Sequence, residues 1–104
     1  MKLLTKKILK SLPPIGSQDG TKPPDQMTAY VKFFGGGRGT WFACEFDGDD
    51  TFFGYVISPI GPDGDEYGYF SLSDLQKLRL PPFGLPIERD RYFTPSRVAD
   101  ILHT

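Results

Sequence analysis

One cysteine, Cys44, and one histidine, His103, are all that 104 residues supply of either type. A single thiol forms no internal disulfide, and a Cys/His zinc site lacks its ligands within one chain. A nucleophile needs an activating base beside it, and a lone histidine at the C-terminal end leaves no triad to name. Net charge is equally scarce: 12 basic and 13 acidic side chains leave −1. That balance argues against general charge-driven binding to nucleic acid and against an acidic mimic of it. Long apolar runs are missing too. Lys6 and Lys7 interrupt Leu3-Leu4 and Ile8-Leu9, so no signal-peptide stretch forms, and no run reaches the roughly 20 residues of a membrane span. The expectation is a protein of a reducing cytoplasm with no metal, no cofactor and no membrane segment.

What the chain does hold is rings. Nine Phe, five Tyr and one Trp carry much of a 38% apolar fraction, and rings bury more area per residue than aliphatic side chains do. This length suits a single core and one domain, residues 1–104. Thr5 is placed to cap a helix whose Ile8, Leu9 and Leu12 share a face, ended by Pro13-Pro14, so residues 1–12 read as an N-terminal helix. Residues 13–27, polar and rich in Pro and Gly, read as a surface loop that need not be ordered throughout. Aromatic runs at Thr28 to Phe34, Thr40 to Phe46 and Thr51 to Ile57, then Glu66 to Leu72, make residues 28–72 an antiparallel meander. Over 73–104 the reading is a helical turn capped by Ser73, a short edge strand in Glu88 to Phe93, and a final helix from Thr94-Pro95 through Leu102. The fold class is α+β: a four- to five-stranded antiparallel sheet with short terminal helices.

A two-residue turn at Gly48-Asp49 pairs Asp47 with Asp50, Cys44 with Phe53 and Phe42 with Tyr55. Strand alternation then puts Val31, Phe33, Phe42, Cys44, Phe46, Phe53, Tyr55, Phe70 and Leu72 on a core face. Tyr30, Lys32, Phe34, Trp41, Ala43, Glu45, Phe52, Val56, Tyr67 and Tyr69 fall on the other, which is more apolar than a solvated face should be. Either a terminal helix roofs it or it is a platform for a partner's apolar anchor or for stacked bases. Cys44, between Phe42 and Phe46, reads as a small buried hydrophobe. Glu45 is the acid to watch, either with a raised pKa among rings or as a salt-bridge partner of Lys32 or an arginine.

Charge is uneven along the chain. Seven acids (Glu45, Asp47, Asp49, Asp50, Asp63, Asp65, Glu66) and no base span 45–66, whereas Lys77, Arg79, Arg89, Arg91 and Arg97 make the C-terminal third basic. Alternation in Glu88-Arg89-Asp90-Arg91 puts both arginines on one face of an extended segment, where they either bind phosphates or pair with the acidic middle. The run Asp63 to Gly68, with Ser71 and Asp74, only loosely echoes a calcium loop, because Tyr67 occupies a ligand position and the flanks read as strand. Gly35 to Thr40 lacks the strand-to-helix context of a phosphate loop and reads as a flexible hairpin turn.

GLPIERDRYFTP at Gly84 to Pro95 and GYFSLSDL at Gly68 to Leu75 resemble a bacterial family of small proteins of unknown function carried on plasmids, phages and other mobile elements. MKLLTKKILKSLPP at the start, VKFF at Val31 to Phe34, TWFACEFD at Thr40 to Asp47 and FFGYV at Phe52 to Val56 extend the likeness over nearly the whole chain. The glycine run Gly35 to Gly39 is a departure. No site residue follows from the resemblance; it implies a bacterial cytoplasm and an accessory role on mobile DNA. The expected function is a non-enzymatic binding module that occupies a macromolecular partner, such as a host-defence protein, with a protein preferred to nucleic acid. The alternative is a single-stranded nucleic-acid-binding protein using the aromatic face and the C-terminal arginines. The candidate binding residues are Tyr30, Lys32, Trp41, Glu45, Tyr67, Tyr69, Arg89 and Arg91.

Overall fold

Thr5 opens the first helix as expected: its hydroxyl accepts from the Ile8 N–H at 3.2 Å, and α1 runs Lys6–Ser11. Ile8 and Leu12 face the core from it, while Leu9 stays exposed. The structure, a computed structural model, describes residues 2–102, so His103 lies outside the described residues. Strands β1 (Thr28–Ala29), β2 (Val31–Gly35), β3 (Gly39–Phe46), β4 (Thr51–Ile57) and β5 (Glu66–Ser71) follow, then α2 (Leu72–Lys77). The C-terminal part holds β6 (Arg79–Leu80), β7 (Leu85–Pro86), β8 (Glu88–Arg89), β9 (Ser96–Arg97) and α3 (Val98–Leu102). One antiparallel five-stranded sheet in the order β5-β4-β3-β2-β8 organises the whole, beside two-stranded pairs β1-β9 and β6-β7. The α+β class and the edge strand at Glu88 stand.

Details of the elements differ from the sequence reading. Ser71 caps α2, accepting from the Asp74 N–H at 3.2 Å, rather than Ser73, whose own N–H and hydroxyl donate to Asp50. The final helix starts at Val98, not after Thr94, because Ser96 and Arg97 are taken into strand pairing with Ala29 and Thr28. The first aromatic run is broken at Tyr30, so that Ala29 and Val31, two residues apart, enter different clusters.

Register explains the larger correction. Phe46 pairs with Phe52 rather than Asp47 with Asp50, because Asp47 Oδ1 accepts from the N–H of Asp49, Asp50 and Thr51 at 2.8, 3.0 and 3.1 Å and widens the turn. A β-bulge between Ala43 and Glu45 then absorbs one residue, and Phe42 meets Tyr55 as expected, but Glu45 rather than Cys44 opposes Phe53. Gly54 makes the bulge possible: a Cβ there would lie 1.8 Å from the Phe42 carbonyl oxygen.

The two sheet faces are therefore reassigned. Val31 and Phe33 pair with Ala43 and Trp41, not with the side of Phe42 and Cys44. One cluster holds Val31, Phe33, Trp41, Ala43, Phe46 and Phe52, with Phe70 packed on it, beneath Leu3, Leu12 and Leu75. The other holds Phe42, Cys44 and Phe53, with Tyr55 and Tyr67, beneath Met27, Ala29 and Val98. Both faces are roofed, the first by the N-terminal segment and α2, the second by the 13–27 loop and the C-terminal end. Phe52 sits in the centre of the first, stacked on Phe46 at 4.5 Å and Phe70 at 5.2 Å.

Candidate functional site

Trp41, a candidate binding residue on the sheet face expected to be either roofed or a platform, is buried at 6% exposure. Tyr30 packs on its cluster, whereas Tyr67 packs on the other. Tyr69, 62% exposed, lies edge-on to Phe53. The eight candidate residues thus do not share a face. Burial, then the charge of Asp25, pushes the Tyr67 phenol up.

Glu45 is fully buried and meets neither Lys32 nor an arginine. Its carboxylate accepts from the backbone N–H of Gly16 at 3.1 Å, Gln18 at 2.5 Å and Asp19 at 3.0 Å, and from the Ser17 hydroxyl at 3.4 Å. Gln18 in turn donates its side-chain amide to Thr28 and Cys44 carbonyls and accepts from the Thr28 N–H. The loop read as loosely ordered is clamped onto the bulge, and Glu45 is its clamp. Beside it the Cys44 thiol, buried first and then facing the Glu45 charge, is pushed up to about 12.

The glycine hairpin is also held. Arg38 forks onto Asp65, with Nη1 to Oδ1 at 2.7 Å, and donates to the Ser58 carbonyl. The Asp65 carboxylate, taken up by Arg38 and by the Ser58 N–H at 2.7 Å, is committed to structure and not to a calcium ligand set.

Four of the candidates do come together. Tyr30, Arg89 and Arg91 line a cleft of about 390 Å³ with Thr5, Lys7 and Phe93. Lys32, Arg89 and Arg91 line a second, of about 330 Å³, with Phe34 and Tyr92. Arg89, Asp90 and Arg91 form a wall common to both. Expected alternation fails there, because the chain leaves β8 after Arg89 and turns: Asp90 Oδ1 accepts from the Tyr92 N–H at 2.9 Å. Asp90 is further held by Lys32, Nζ to Oδ2 at 3.7 Å, and its N–H donates to the Lys32 carbonyl. Arg89 donates to the Lys2 carbonyl, which ties the N-terminal segment to the edge strand. Arg91 and Tyr92 are exposed, Tyr92 at 90%. Sequence reasoning missed Lys7, Phe34, Tyr92 and Phe93 as parts of this place, since only the turn after β8 and the docking of α1 bring them to it.

The family described as "Protein of unknown function (DUF2958)" matches residues 3–101. The chain belongs to that family. No curated protein matches, and no solved structure does. The DUF2958 match runs from the segment before α1 to within α3 and so takes in every wall of both clefts. Among the described residues no helix is long and apolar enough to cross a membrane.

Proposed function

We propose that this DUF2958 protein is a non-enzymatic binding module that occupies an anionic macromolecular partner through the two clefts beside β8. The observation that carries this reading is the wall of Arg89 and Arg91 shared by two adjoining clefts, with Lys7 added in the first and Lys32 in the second, where the acids are Asp90, already held by Lys32, and Glu88. Net charge says nothing of this, because these cations and the acidic turns lie apart. The acidic turns 47–50 and 63–66 lie at the two ends of β4, where Lys77 and Arg38 partly offset them, whereas Lys32, Arg89 and Arg91 belong to the β2 and β8 edge. A local field of that kind steers and orients an anionic partner whatever the total charge.

The finer reading rests on the resemblance to proteins of bacterial mobile elements: an accessory protein of a bacterial cytoplasm, whose partner is a host-defence protein with an acidic surface or a nucleic-acid strand. Affinity capture from a bacterial lysate tests the site. Wild-type protein should retain a macromolecule at low salt that the Arg91→Glu variant loses. Retention of the same material by both would contradict the assignment.

A further inference from the structure

Each cleft places rings and cations together: Tyr30 and Phe93 with Lys7 and the arginines in the first, Phe34 and Tyr92 with Lys32 and the arginines in the second. An acidic protein surface needs only the cations. A nucleotide needs both, since its phosphate is met by a cation and its base offers a π-face to a ring. The sizes agree, both clefts lying within the range of roughly 300–1,000 Å³ that seats a small ligand. Tyr92 is the ring best placed for stacking, being almost fully exposed on a turn whose backbone is fixed by Asp90. Phe34, 37% exposed beside Lys32, is the second.

Resting on the binding reading above, we infer that the occupant is a single-stranded nucleic acid, with successive nucleotides in the two clefts and the backbone crossing the Arg89 to Arg91 wall. A duplex keeps its bases stacked on one another and offers those rings nothing, so preference for the single strand follows. Two exposed side chains separate the contributions, Arg91 for phosphate and Tyr92 for base, and neither is part of a core cluster.

The test is fluorescence anisotropy of a labelled single-stranded oligothymidylate titrated with the whole protein, beside the Arg91→Ala and Tyr92→Ala variants, a duplex and polyglutamate. Binding that falls with salt, is about tenfold weaker in each variant and is weaker for duplex supports the inference; stacking and phosphate contacts are each of that order. Thermal melts of both variants should match wild type. Absence of oligothymidylate binding at low salt, equal binding by all three proteins, or duplex bound as tightly as single strand would overturn it. Should polyglutamate alone bind with the same sensitivity to Arg91, the nucleic-acid inference falls and the cleft reading stands. If no probe and no captured partner depends on Arg91, both fall.

Discussion

Cys44 and Glu45 sit side by side in the β3 bulge with opposite demands on their surroundings. The thiol is wanted neutral and dry, and burial holds its pKa at about 12. Native protein should therefore react with a thiol reagent only as fast as it unfolds, and full labelling within seconds would place Cys44 at the surface. Glu45 instead keeps its carboxylate under cover by accepting from three backbone N–H groups and a hydroxyl of the 16–19 segment. A neutral amide turns one acceptor into a donor facing donors. Glu45→Gln should cost about 3 kcal/mol in denaturant unfolding, in the range for breaking a buried charged network. A loss below about 0.5 kcal/mol, the size of an ordinary surface change, would mean that the clamp is not what orders the loop.

The β3-β4 hairpin depends on a close approach that only glycine permits. Gly54→Ala forces the Phe42 carbonyl to move and should destabilise by about 3 kcal/mol, read from a thermal melt; a neutral result would show that the bulge relaxes freely. Its turn and its neighbours set the acid limit. Asp47 is held below the usual carboxylate range by the N–H groups of Asp49 and Thr51, Asp50 by the Ser71 hydroxyl, and Asp65 by Arg38. Lowered folded-state values give stability that is present above the unfolded value, about 3.9, and lost as pH falls through the folded ones. The melting temperature should hold from neutrality to about pH 5 and drop below about pH 4. A rise on acidification would contradict these partners. Strand positions and the first cap were legible in the sequence because alternation and Thr5 are local signals. The faces were not: the Gly35 to Gly39 turn offers only the Arg38 side chain, whose partner Asp65 is distant in sequence, and one bulged residue moves Phe46 across the sheet.

Across the whole molecule the acidic turns at the ends of β4 lie apart from the Lys32, Arg89 and Arg91 group at the β8 edge, and that separation was half visible in the charge runs of the chain. The clefts were hidden because they need α1, β2 and the turn after β8 to meet, and that convergence is tertiary. Alternation along the strands points to Tyr30 and Lys32 on an aromatic face whose members the structure divides between two clusters, and sign alternation in the C-terminal segment points to Arg89 and Arg91. Backbone amide shifts on titration with single-stranded oligothymidylate report on the surface directly. The largest changes should fall at Arg91 and Tyr92, with smaller ones at Tyr30, Lys32 and residues 88–90. Changes centred instead on Tyr67 and Tyr69 of β5 or on the acidic turns, or none at all, would contradict the assignment of the binding surface.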